Sequence, residues 1–412
     1  MSADAASRIP INYDEEAVPE HELPDPLLFE DGSPVGAAAW PRRRREILRL
    51  FEDHVYGGIP GPPSDPEIAA AVEVVEEGAL GDWATRRQIS LTWKTDRHLS
   101  RADILLYLPA SRSQPVPVFA GLNFFGNQTV QDDPAILLTD SWVRNSDSLG
   151  IEDNRASDRT RGSLAHRWQV ELILSRGYGL ATAYCGDFDP DFDDGYRNGV
   201  HPLYSLDGQT GPAPGDWGAI GAWAWGLCRV CDYLETDADV DANRVAVMGH
   251  SRLGKTALWA GACDERFAMA VSNNSGCGGA ALSRRRYGEN VAFINTRFPH
   301  WFCDRFRRYN GREEELPVDQ HMLIALAAPR PVYVASAAED LWADPRGEFL
   351  ACVHADPVYR LLGADGLPSL EMPAVDTPLH GGIGYHLREG RHDVLRYDWE
   401  QYLDFADRHL GN

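Results

Sequence analysis

A chain of 412 residues, 43% of them hydrophobic, has ample material for a sizeable core, and large α/β enzymes of this length run as one domain. A formal net charge of −23, spread along the chain, argues against nucleic acid and anionic membranes as partners. No run approaches the roughly 18 apolar residues of a membrane span, and seven thinly spread cysteines do not make a disulfide scaffold.

Residues 1–35 are acidic and proline-bearing and read as an extended arm on a globular body formed by residues 36–412. The arm lacks a basic start and an apolar h-region, so no export signal is visible in this chain. Pro41 to Tyr56 places Ile47, Leu48, Leu50, Phe51 and Val55 at helical spacing. Ile89 to Pro109 alternates as a hairpin. Residues 116–122 and 177–184 read as inner strands, and residues 123–165 between them as an insertion. A helix is expected over Trp217 to Leu234; its Cys228-x-x-Cys231 pair reads as buried small hydrophobes. Further strands follow at 244–248, 266–272 and 331–336, with a second insertion at 278–320 and a closing amphipathic helix from Asp398. Apolar runs alternating with helical patterns predict a mostly parallel sheet covered by helices on both faces, an α/β class with ligands bound beyond the carboxyl ends of the strands.

The chemistry concentrates at RVAVMGHSRLGK, residues 244–255. A buried strand, a sharp turn and a helix place Ser251 where a hydroxyl becomes an exposed nucleophile, the elbow of α/β-hydrolases. The usual pattern is G-x-S-x-G; here the second glycine, Gly254, comes one place late and Leu253 takes its slot. A serine nucleophile needs a base and an orienting acid, in the chain order Ser, acid, His. His392, in the polar loop EGRHDV before the last helix, is the expected base; His380 and His386, beside a glycine-rich turn, are alternatives, and His409 reads as a surface residue. Asp340, just beyond the 331–336 strand, is the expected acid, with Glu339 and Asp344 as neighbours able to stand in. The backbone N–H of Arg252 is the expected oxyanion donor. Its guanidinium either helps hold that oxygen or braces the elbow through an ion pair. Lys255, one turn along, suits gripping of substrate hydroxyls, or else is an exposed helix lysine.

These residues resemble the glucuronoyl esterases, family 15 of the carbohydrate esterases, and most closely the bacterial branch. Gly249 to Lys255 matches the G-x-S-R-x-G-K signature. The likeness extends through RGYGLATAYCGD, SNNSGCGGAALSRR, FPHWFC, the long stretch from Leu316 to Phe349 and the tail from Gly384 to His409. The resemblance implies Ser251 as nucleophile, His392 as base, Asp340 as acid, Arg252 at the oxyanion, Lys255 and Glu289 on the sugar hydroxyls, and Trp342 lining the sugar site. Two departures stand out. Fungal members carry the acid as a glutamate just before S-G-x-G-G, where this chain has Asn274. They also join the residue before the serine to the residue after the histidine by a disulfide. Here those places hold His250 and Asp393, for which a polar contact is expected instead.

The implied activity is hydrolysis of esters of 4-O-methyl-glucuronic acid between glucuronoxylan and lignin alcohols, without metal or organic cofactor. A monomer, extracellular or periplasmic by resemblance, is expected. An acetyl or feruloyl esterase of plant polysaccharide, or a carbohydrate-binding protein that kept the fold without catalysis, stays open at this level.

Overall fold

The computed structural model describes residues 6–61, 67–96, 98–204 and 211–411. Ten strands form one sheet: β1 (Glu67–Gly78), β2 (Ala84–Lys94), β3 (Leu99–Pro109), β4 (Val116–Asn123), β5 (Gly179–Tyr184), β6 (Val240–His250), β7 (Met269–Asn273), β8 (Val332–Ala337), β9 (Leu379–His380) and β10 (Ile383–Arg388). Their order is β1-β2-β3-β5-β4-β6-β7-β8-β10-β9. The run from β5 to β10 is parallel, while β1, β2, β3 and β9 add antiparallel borders.

The parallel strands are apolar along their length because both faces are covered. Every residue of β4, β5, β7 and β8 is buried. The two-residue period then sorts side chains between two cores. Val118, Ala120, Val245, Val247, Val332 and Val334 join one, which also takes in helices α1 (Trp40–Phe51), α2 (Ala219–Leu234), α3 (Arg252–Cys263) and α4 (Pro345–Leu361). Phe119, Ala246, Met248, Tyr333 and Ala335 join the other, against residues 170–174 and helix α5 (Arg396–His409). A helix–sheet–helix sandwich results, the α/β-hydrolase architecture predicted above.

Differences from the sequence reading are local. The predicted helix 41–56 stops being α-helical after Phe51 and closes with a wider turn over Glu52–Tyr56. β1 was not foreseen, and the glycine-rich turn, Gly381–Gly382, joins two strands at the sheet border, β9 and β10. There His386 lies fully buried on β10 rather than in a loop. Residues 278–320 carry only short helical turns, yet Arg284, Arg285, Glu289 and His300 within them are buried, so this insertion is packed structure.

Candidate active site

β6 ends at His250, and Ser251 takes φ 57° and ψ −129°, a conformation that non-glycine residues avoid. Three features hold it there. Ser251 N–H donates to the Asn273 carbonyl on β7 at 2.8 Å, and the N–H groups of Gly254 and Lys255 donate back to the Ser251 carbonyl. A Cβ on Gly249 would lie 1.9 Å from the Leu253 carbonyl oxygen, so only glycine fits. Gly254 packs against Ser272 and Ser275, while Leu253 is buried. The late second glycine therefore serves the close approach of α3 to β7. The N–H of Arg252, in the first turn of α3, is one that helix geometry leaves free to donate to an oxyanion.

The acid and base meet as the chain order requires. Asp340 follows β8 and His392 follows β10, and His392 Nδ1 lies 2.6 Å from Asp340 Oδ2. The Asn274 amide donates to the same oxygen at 2.7 Å. Burial acts to raise the Asp340 pKa, but the hydrogen bond and charge of His392, with the Asn274 amide, hold it below the usual carboxylate value. The Asn274 amide thus helps orient this acid. The His392 side chain is 38% exposed, and its ring centroid is 4.5 Å from that of His250, the neighbour of Ser251. No hydrogen bond joins the Ser251 hydroxyl to the imidazole among the described residues. Such bonds are often long in ligand-free hydrolases and tighten on the substrate.

The loop carrying His392 is clamped from below. Arg388 donates to the carbonyls of Glu389, Arg391 and Asp393, and its Nε pairs with the buried Asp398 at 2.9 Å. His386 also bonds Asp398, at 2.9 Å, which gives that histidine a structural partner and removes it as a base. His380 faces Tyr333 and Phe405, and exposed His409 meets the Gly381 carbonyl. Glu339 reaches toward Arg391, and Asp344 caps α4 and pairs with Arg285, so neither alternative acid turns to His392.

The expected His250–Asp393 contact does not form. Asp393 bonds Arg167 Nε at 2.6 Å and His166 at 3.3 Å, whereas His250 Nδ1 bonds Asn273 at 2.6 Å. Burial, then the nearby His392, push the His250 pKa well down, so a neutral ring sits against the base. The physical reason is competition: a guanidinium offers Asp393 a stronger partner than a buried neutral imidazole.

Two cations leave the first turn of α3. Arg252 Nη2 is 3.1 Å from Asp191 Oδ2, and its guanidinium carbon lies 4.5 Å from the Phe124 ring centre. Burial would raise the Asp191 pKa, but Arg252, His300 and Arg144 together drive it below the usual carboxylate range. Among the described residues no acceptor faces the buried Arg252 Nε, a donor held in reserve. The sequence does not single out Asp191, because it is one of five aspartates from Asp187 to Asp194 and nothing local marks which is buried against a cation. Lys255 Nζ donates to the Ser275 carbonyl at 2.6 Å and lies 3.4 Å from Glu289 Oε2, both side chains being buried. Burial raises the Glu289 pKa, partly offset by Lys255. Glu289 N–H donates to the Trp342 carbonyl at 2.9 Å, and the Trp342 ring meets Phe293 edge-on. Beneath them the buried Glu348 accepts from Ser275 N at 2.7 Å, Gly276 N at 3.0 Å and Ser336 Oγ at 2.6 Å, and burial raises its pKa to about 8. All seven residues named from the sequence thus lie around one rim of the sheet, with a nucleophile elbow, an acid–base pair and a buried cation–carboxylate pair. Such a set can perform acyl transfer.

Comparison with known proteins agrees. A sequence profile described as "Glucuronyl esterase, fungi" matches residues 194–363. The carbohydrate esterase MZ0003, from an unknown prokaryotic organism, is 52% identical over 97% of this chain and 92% of its own length. A 4-O-methyl-glucuronoyl methylesterase of Wolfiporia cocos is 27% identical over 83% of this chain and 72% of its own. A solved glucuronoyl esterase from Solibacter usitatus superposes with a TM-score of 0.90 at 48% identity, covering 96% of this chain and 100% of that one. By sequence and by architecture, the chain belongs to the glucuronoyl esterases, family 15 of the carbohydrate esterases.

Proposed function

We propose that the protein is a serine carboxylic ester hydrolase that cleaves esters of 4-O-methyl-glucuronic acid through an acyl-enzyme. In the cycle, His392 takes the proton of Ser251 as the hydroxyl attacks the uronate carbonyl carbon. Asp340, steadied by Asn274, holds the imidazole and stabilises its charged form. The oxyanion is met by Arg252, through its backbone N–H and its guanidinium. One such donor stabilises the transition state by about 3 kcal/mol. His392 then protonates the departing alcohol, and water repeats the sequence to release the free uronate. Lys255, Glu289 and Trp342 recognise the sugar, so the acid side of the ester sets specificity and the alcohol side faces solvent.

The observation that carries this reading is the 2.6 Å His392–Asp340 bond beside the elbow. An acyl-transfer apparatus next to a buried Lys255–Glu289 pair suits a uronate better than an acetyl group, which offers no hydroxyls to grip. We assign the natural substrate to glucuronoxylan esterified to lignin alcohols, and the working form to a monomer. An extracellular or periplasmic site fits so large a polymer. Among the described residues no helix is long and apolar enough to cross a membrane.

The test is kinetic. Ser251→Ala should lower turnover of benzyl glucuronate by at least about 10⁴-fold and abolish fluorophosphonate labelling. The unaltered protein should prefer benzyl glucuronate to its galacturonate counterpart and to p-nitrophenyl acetate. Retained activity in the alanine variant, or a preference for acetate, would overturn the reading.

A further inference from the structure

The arm before residue 24 is tied to the body at residues that border the sugar-holding side chains. Gly288 N–H donates to the Asn12 carbonyl at 2.8 Å, the Tyr287 hydroxyl donates to the Tyr13 carbonyl at 3.1 Å, and Asn290 donates to the Pro10 carbonyl. Glu15 pairs with the buried Arg285 at 2.7 Å, which in turn binds Asp344 at the start of α4. Segment 287–290 is therefore held between two neighbours. The arm lies on one side through Asn12 and Tyr13, and the Trp342 turn lies on the other through Glu289 N–H. The space is tight: a Cβ on Gly288, which has φ +60°, would lie 2.5 Å from the carbonyl oxygens of Leu341 and Trp342.

Asn12 is thus joined to the residue immediately before Glu289, and Tyr13 is carried beside the sugar-binding group. Tyr13 is 49% exposed, and its ring meets that of Tyr287 edge to face at 6.2 Å, so the side chain is packed on one flank and partly open to solvent. Its phenol is also within electrostatic range of the acid: partial burial, and then the Asp340 carboxylate, raise the Tyr13 pKa. A partly open aromatic ring with a polar tip suits the alternating C–H and O–H surface of a sugar ring.

We propose that the arm completes the saccharide site, with Tyr13 as a wall against the sugar unit that follows the uronate on the polysaccharide. The uronate itself is taken by Lys255, Glu289 and Trp342, so the proposal rests on that reading of the site. The arm then acts as a specificity element for polymer over free uronate ester. Replacing the ring leaves the backbone acceptor of Tyr13 in place, so Tyr287 keeps its bond and the arm its path.

The test uses binding in a Ser251→Ala background, where turnover does not interfere. Calorimetry would compare free 4-O-methyl-glucuronate with an aldouronic acid carrying the same uronate on a xylo-oligosaccharide. Tyr13→Ala should weaken the oligosaccharide about ten-fold, at least five times more than the monosaccharide, with Tm held within a degree. Tyr13→Phe should recover most of the loss. In the Ser251 enzyme the same contrast should appear in KM for the esterified oligosaccharide, with kcat little moved. Equal effects on both ligands, or none on either, would overturn the proposal. A Ser251 enzyme that binds the oligosaccharide in this pattern without cleaving its ester would support the arm's contact while overturning the esterase reading.

Discussion

Arg252 and Lys255 leave the same turn of α3, each paired with a buried carboxylate, yet the two pairs are built differently. Asp191 receives Arg252, His300, Arg144 and the Trp301 indole N–H, and stays ionised below the usual range. Glu289 has Lys255 as its cationic partner at a longer 3.4 Å, and burial lifts its pKa. The first arrangement fixes a cation through several partners; the second, on the proposed function, is a pair whose bonds a substrate hydroxyl replaces. A rigid charge suits an oxygen that becomes negative only in the transition state, and an adaptable pair suits ground-state recognition.

Breaking the rigid pair should have the largest effect. Arg252→Ala is expected to lower kcat on benzyl glucuronate by about 10² to 10³, with KM changed little. Asp191→Asn keeps the shape but removes the buried charge that holds the partly exposed Arg252 guanidinium, so about 3 kcal/mol of stability and a comparable share of kcat should go together. Thermal melts beside steady-state kinetics check both. If Asp191→Asn altered neither, the fixed-charge account would fail.

The adaptable pair should answer in the other parameter. Lys255→Met is expected to raise KM for the uronate ester about ten-fold while kcat falls less, and Glu289→Gln should do the same more weakly. A variant in which kcat alone collapsed would erase the distinction between the two pairs.

The smallest effect concerns the support beneath Lys255. Glu348 holds the turn whose Ser275 carbonyl receives the lysine, and its folded pKa of about 8 lies above its ordinary 4.5. Between those values the native state keeps a proton that the unfolded chain has lost. Stability therefore falls as pH rises through that window and levels above it. Glu348→Gln does not titrate, so its Tm should drop less between pH 5.5 and 8.5 than that of the unaltered protein, by at least about 2 °C. Parallel curves would reject this role.

What was legible in the sequence was what local pattern encodes. Val118, Val247 and Val334 sit in runs long enough to declare buried strands, and the glycines about Ser251 mark a turn that few residues tolerate. The border strand β1 escaped because Ile68, Val72 and Val75 are about half exposed there, so its apolar pattern reports no core. His392 and Asp340 could be placed because each follows a recognisable strand. Asp191, Arg388 and Asp398 could not, since nothing local says which distant charge a buried residue will choose. The His250–Asp393 contact was expected and does not form for the same reason: Arg167, 226 residues from Asp393, takes its carboxylate.

Arg388 spans the carbonyls on either side of His392, while its own anchor, Asp398, belongs to the first turn of α5 and accepts the Leu395 N–H at that helix's entrance. Seating of the last helix and aim of the imidazole are consequently one event. Loosening of that C-terminal edge would unhook the proton carrier while the central strands remained paired, so heat should silence the molecule before it melts it.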